Sequence, residues 1–294
     1  MPLLRAGVAL AAVAMLAACG SVPAPPPPAG PSIVASTDVY SAVAKAVGGD
    51  DVQVTSLIRS AAADPHEYEA TPADALAVSK ATVFVYNGAG YDDFAPKLLD
   101  SAEGNRPAAL DVSALSGLDT QDNEHVWYDL PTVKKLADRL AAELGKADPA
   151  DAATFTANAA AFGTKIDGLT AKLAAIKATH DGRPIAITEP VPLYLTEAAG
   201  LRNATPEEFS EAAEQGTDPP AAVLGQTLAL FTGKAVTALV ANGQAESPST
   251  EQVEQAAAAV GIPVVRVTET LPAGDGDYVS WQTQQIDALA KALG

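Results

Sequence analysis

Residues 148–179 read DPADAATFTANAAAFGTKIDGLTAKLAAIKAT, and this stretch decides the fold. Phe155, Ala159, Phe162, Ile166, Leu169, Leu173 and Ile176 recur at three- and four-residue spacing, the apolar period of one helix face. No strand signal interrupts them. Asp148-Pro149 offers an N-cap with proline at the first helical position. The stretch therefore predicts one helix of about thirty residues, roughly 45 Å long at 1.5 Å per residue. Gly163 and Gly168 weaken that helix slightly.

On both sides the pattern changes to short β-branched runs alternating with Ala-rich helical stretches. Before the helix, strands are expected at Ile33 to Ser36, Val52 to Leu57, Thr82 to Tyr86 and Ala108 to Val112, with helices near 38–47, 72–79 and 91–101. After it, strands are expected at Ile185 to Thr188, Val236 to Ala241 and Val264 to Val267, with helices near 191–199, 219–232, 249–260 and 277–293. Such alternation reads as βαβ units. The fold class is α/β: two domains, each with a mostly parallel β-sheet flanked by helices, joined by one long rigid α-helix. The expected boundaries are 32–147 for the N-terminal domain, 148–180 for the linking helix and 181–294 for the C-terminal domain. Gly- or Ser-rich crossovers, which would mark flexible hinges, are absent, so relative domain motion is expected to be small.

The first residues concern location. Arg5 followed by the apolar stretch Gly7 to Leu16 has signal-peptide length and is too short to span a bilayer. Leu16-Ala17-Ala18-Cys19-Gly20 resembles a bacterial lipobox, which implies a signal peptide at 1–18, cleavage before Cys19 and its diacylation. Two acyl chains suffice for stable anchoring. The alternative is an ordinary secretory signal with a chance cysteine. Pro23 to Pro31 then forms a stiff tether, so that 19–31 is lipidated residue and linker. Cys19 is the only cysteine, so the core has no internal disulfide and no thiolate metal ligand. With 36 acidic against 18 basic residues, nucleic acid is excluded as a partner and cations are attracted.

Two of the three histidines stand in informative loops. Asp64-Pro65-His66-Glu67-Tyr68 follows the second strand, beyond whose C-terminal end open α/β sheets hold ligands. Thr71-Pro72-Ala73-Asp74 then opens a helix with a capping-box pattern. The second, Asn123-Glu124-His125-Val126-Trp127-Tyr128, precedes an amphipathic helix marked by Leu136, Leu140 and Leu144. A lone loop histidine is ordinarily a solvated side chain. His180, at the end of the long helix, is expected to be of that kind.

Asp-Pro-His-x-Tyr-Glu, then Val85-Tyr86-Asn87-Gly88, then His-Val-Trp before a helix resembles the zinc- and manganese-binding lipoprotein receptors of ABC importers (cluster A-I). The resemblance runs from about residue 33 to the C-terminus. It implies an extracytoplasmic substrate-binding protein, anchored to the bacterial cell membrane, that carries one divalent transition-metal ion to a permease. It implies His66 and His125 as ligands, with Glu189 and Glu269 completing the set. Glu269 stands where the family has aspartate, and Asp275 and Asp277 are the alternatives. A monomer is expected, with Tyr68, Trp127 and Tyr128 packed behind the site. Without the resemblance, Glu189 and Glu269 are acids ending strands, as fit to cap or to face solvent as to bind.

Two imidazoles and two carboxylates without thiolate disfavour copper(I) and calcium. Glu189 in place of the usual zinc-type histidine, and the lack of a His-rich acidic loop, favour Mn2+ over Zn2+, with Fe2+ third. The Irving–Williams order opposes this lean. Competing functions are a metal-dependent surface adhesin, a receptor for a chelated metal and a metal hydrolase. For the last, no His-Glu-x-x-His, nucleophile elbow or phosphate loop is present.

Overall fold

The computed structural model describes residues 30–59, 63–102, 106–272 and 276–294. Cys19, the apolar leader, the tether up to residue 29 and Asp275 lie outside the described residues. In chain order the N-terminal half runs β1 (Ser32–Ala35), α1 (Asp38–Gly48), β2 (Gln53–Ser56), α2 (Pro72–Lys80), β3 (Val83–Tyr86), α3 (Phe94–Ser101), β4 (Ala108–Asp111) and α4 (Val112–Ser116). A 3-10 turn (Val126–Tyr128) leads into α5 (Leu130–Ala147), which packs against the long α6 (Ala152–His180). The second half runs β5 (Pro184–Ile187), α7 (Leu193–Ala198), β6 (Arg202–Asn203), α8 (Glu207–Glu214), α9 (Ala221–Thr232), β7 (Leu239–Asn242), α10 (Pro248–Ala259), β8 (Val264–Val267) and α11 (Tyr278–Leu293).

Each half contains a four-stranded parallel sheet, ordered β2-β1-β3-β4 and β6-β5-β7-β8. The fold class is as the sequence implies. In both sheets the chain starts in the middle and later crosses to the other side. The crevice at that reversal, beyond the strands' C-terminal ends, is where such sheets bind ligands.

All seven apolar positions read from the long helix are buried. The helix start differs from expectation. Asp148 closes α5, its N–H bonded to Leu144 O at 2.8 Å, and its carboxylate accepts from Ala150 N at 3.1 Å. Leu140 and Leu144 keep α5 buried up to this corner. Gly145 lets the corner close tightly, since a Cβ there would lie 3.0 Å from Ala152 Cβ. Pro149 is consequently in the turn, and α6 begins at Ala152.

One apolar core runs from Ile33 through α5 and α6 to Leu293, so the two halves share an interior. Polar contacts add to it. Tyr278 OH donates to Trp127 O at 2.7 Å, and Tyr128 OH to Thr268 O at 2.6 Å. His180 is half-buried rather than solvated, in a groove with Ile176, Ile286 and Ala290. No described helix is long and apolar enough to cross a membrane.

Candidate metal centre

His66 sits after β2, in a loop braced at both ends. Asp64 Oδ1 accepts the His66 N–H at 2.8 Å, and Thr71 and Asp74 form the capping box that starts α2. Tyr68 donates to Asp74 Oδ2 at 3.0 Å and packs on Phe94. Tyr68 thus secures the helix start, contrary to the expected role behind the ligands.

The Val-Tyr-Asn-Gly segment has a structural reason. The Asp92 carboxylate accepts from Asn87 N at 2.7 Å and Gly88 N at 2.8 Å, forming a tight turn after β3. Gly88 has φ +78°, and a Cβ there would strike Asp111 Oδ1. The turn holds Asn87 so that its Nδ2 donates to Glu124 O at 2.9 Å, fixing the loop that carries the second histidine. Because the turn consumes Tyr91 to Asp93, α3 begins at Phe94 and not at 91.

His125 is fully buried. Its Nδ1 lies 2.8 Å from Asn123 Oδ1, an oxygen that only accepts, so the neutral ring carries its proton there and offers the Nε2 lone pair. Tyr91 and Trp127 flank the ring, with centroids at 5.9 and 5.0 Å. Trp127 Nε1 has no hydrogen-bond partner among the described residues, so Trp127 acts by packing. Tyr128, through Thr268 O, steadies the residue next to Glu269.

Glu189 follows β5, and Glu269 follows β8. Between them Asn242, the last residue of β7, donates from Nδ2 to Glu189 Oε2 at 2.5 Å and Glu269 Oε1 at 2.7 Å. Tyr91 OH adds a bond to Glu269 Oε2 at 3.1 Å, across the two halves. His66, Glu189 and Glu269 line one cavity of about 210 Å³, and His125 reaches it through Glu214. Asp277 is elsewhere: it caps α11, accepting from Val279 N at 3.0 Å and Ser280 Oγ at 2.8 Å.

A fifth group, Glu214 at the end of α8, was not anticipated. Its Oε1 is 3.3 Å from His125 Nε2 and 3.6 Å from His66 Nε2. Thr205-Pro206-Glu207-Glu208, with Phe209 and Ala213 on one face, is the helix signal that could have drawn attention to it. Asn242 could have been noticed as a polar residue ending an apolar strand. Among the described residues, three buried atoms here lack hydrogen-bond partners: His125 Nε2, Glu189 Oε1 and Glu214 Oε2. Buried polar atoms without partners are costly. One imidazole nitrogen and two carboxylate oxygens are what a divalent cation would satisfy.

Charge within the cluster is strongly coupled. Burial would lower the pKa of His66, but Glu214, Glu124 and Asp64 overcome it and hold the imidazolium up to about 9. His125 is also raised, by Glu214, Glu269 and Glu124 against its burial. Burial would raise Glu214, but the two histidines bring it down to about 2. Burial pushes Glu189 up to about 8, with the Asn242 amide opposing and Glu214 and Glu269 adding to it. Glu269 is raised, again chiefly by burial.

A group raised in the folded state favours folding at low pH. The His66 contribution is complete below its unfolded value of 6.5 and is lost as pH rises through about 9. That of Glu189 is lost between 4.5 and about 8. Glu214 acts oppositely, and its contribution is constant above 4.5. Protein treated with chelator is therefore expected to lose about 5–10 °C of Tm between pH 6.5 and 9. Scanning calorimetry checks this, and a flat profile would contradict the coupled cluster.

A family model described as zinc-uptake complex component A, periplasmic, matches residues 33–292. Over 181 residues the chain is 29% identical to the manganese-binding lipoprotein MntA of Halalkalibacterium halodurans, covering 58% of this chain and 59% of that one. Over 150 residues it is 28% identical to the iron ABC transporter substrate-binding lipoprotein MtsA of Streptococcus pyogenes serotype M1, covering 47% and 48%. The chain thus spans about half to three-fifths of the length of these relatives. The periplasmic zinc binding protein TroA from Treponema pallidum has a TM-score of 0.74 at 21% identity, covering 90% of this chain and 99% of that one. At that identity the likeness establishes the fold.

Proposed function

The chain belongs to the family of the zinc-uptake complex component A, periplasmic, and from that premise we propose that it is an extracytoplasmic receptor delivering one divalent transition-metal ion to an ABC permease. The family and its relatives are solute-binding receptors, not enzymes. The observation that carries the reading is the convergence of His66 and three carboxylates on one pocket, with His125 beside Glu214 and buried polar atoms of His125, Glu189 and Glu214 left unpaired among the described residues. His66, His125, Glu189 and Glu269 are the ligands, and Glu214 stands ready as a fifth. Lipidated Cys19 anchors the protein to the cell membrane, and the protein works as a monomer.

The donor set favours Mn2+ over Zn2+, with Fe2+ third. Three carboxylates allow coordination numbers above the four that zinc usually takes. The ion displaces protons from the histidines and Glu189, so affinity falls as pH drops.

The test is equilibrium titration of stripped protein starting at Ser32 with Mn2+ and Zn2+ in competition. One ion per chain is expected. Structural zinc sites bind with about 10–16 kcal/mol, so one ligand among four or five represents about 3 kcal/mol, about a hundredfold in affinity. Glu189→Ala should lose that factor. Unchanged binding by Glu189→Ala would sink the ligand assignment, and absence of binding by the parent would sink the receptor.

A further inference from the structure

Acidic residues continue outward from the deep pocket. A second cavity of about 640 Å³ shares Asp64, His66 and Glu214 with it and is also lined by Glu67, Asp122 and Glu124, and among the described residues no Lys or Arg lines it. His66, Glu124 and Glu214 each bring one ligand atom within 4.8 Å of the others. Glu124 Oε1 is 3.8 Å and Glu214 Oε1 3.6 Å from His66 Nε2. The side chains of His66, Glu124 and Glu214 are 32%, 17% and 15% exposed, so the trio is sheltered but open to water. Glu214 Oε2 is buried without a hydrogen-bond partner among the described residues. On the inner side, the completely buried His125 turns its unpartnered Nε2 toward Glu214 at 3.3 Å. Glu214 therefore stands between an outer histidine–carboxylate pair and the inner donors.

We propose that His66, Glu124 and Glu214 form an outer binding site for the same divalent cation, from which the ion moves inward by exchanging Glu124 for His125, Glu189 and Glu269. The proposal rests on the receptor reading above. A hydrated divalent ion resists losing all its waters at once, and His125 and Glu189 are closed to solvent, at 0% and 1% exposure. An outer site lets water leave in two stages, and the acidic wall concentrates cations before it. The two sites share His66 and Glu214, so they hold one ion between them.

Glu124 contributes to the passage but not to the final set. Its removal therefore slows arrival and departure together. The loop itself is held through the Glu124 backbone carbonyl, which Glu124→Gln retains.

The experiment is stopped-flow mixing of the stripped full chain with Zn2+, monitored by tryptophan fluorescence and, independently, by a chromogenic chelator. Trp127 lies 5.0 Å from His125 and is the expected reporter. In Glu124→Gln the association rate should fall at least fivefold, and the dissociation rate in a chelator chase should fall with it. An unchanged association rate overturns the outer site and leaves the receptor reading standing. Slower association with faster dissociation makes Glu124 an ordinary deep ligand, which also overturns it. Asp122→Asn removes a charge from the same cavity but not from the trio. Equal slowing there assigns the effect to the general field and overturns the site. A parent protein that takes up no Zn2+ or Mn2+ fails the receptor reading, and the outer site with it.

Discussion

His125→Ala is expected to abolish retention of the ion, weakening its affinity by about a thousandfold or more, beyond the hundredfold of an average ligand. Two effects combine. The variant loses a donor that is wholly buried and oriented by a second residue, through Nδ1 on Asn123 at 2.8 Å. It also takes from Glu214 a partner that helps hold its carboxyl at about 2. Glu214, Glu189 and Glu269 then face one another with less opposing charge. Competition titration against a chelator measures the loss, and circular dichroism checks that the variant is folded. Parent-like affinity in a folded His125→Ala protein would remove His125 from the site.

Phe162→Ala should produce the largest change in stability. The side chain is 3% exposed on α6, and its ring meets Tyr278 of α11 at 6.0 Å. Truncating a buried phenylalanine costs about 3–5 kcal/mol, which in a chain of this size lowers Tm by about 10 °C. The shape of the transition is equally informative. Since the core around α6 belongs to both halves, calorimetry should show one transition moving as a whole. Two separated transitions would mean that the halves fold independently.

The elements with long, regular patterns were legible in the sequence. The seven apolar positions of α6, the central strands and the Thr71–Asp74 cap follow from local periodicity and hydrogen-bonding chemistry. That His66, Glu189 and Glu269 would meet at one cavity, with His125 beside Glu214, was legible only through motif resemblance; as isolated residues they were ambiguous. Glu214 was not legible, because the eight-residue α8 follows a strand of only two residues, and tertiary packing alone brings it to the histidines. Asp148 misled for a related reason. Asp-Pro satisfies the local rule for a helix start, yet burial of Leu144 carries the preceding helix up to that point. Tyr68 was misjudged because proximity in sequence to a histidine says nothing of where a hydroxyl points.

Asn242 precedes Gly243, and asparagine–glycine pairs are the most prone to spontaneous deamidation in a flexible chain. That reaction needs the glycine nitrogen to attack the side-chain amide. Here Gly243 N donates to Val267 O at 2.9 Å, while the Asn242 amide is held by two carboxylates. The folded state thus protects this amide, as it does that of Asn87 before Gly88, whose N–H is held by Asp92 Oδ1 at 2.8 Å. A molecule that ages while unfolded acquires an aspartate or isoaspartate at 242, and refolding sets this new negative charge between Glu189 and Glu269, where a donor once held them together. The useful lifetime of the protein is therefore tied to how rarely it unfolds.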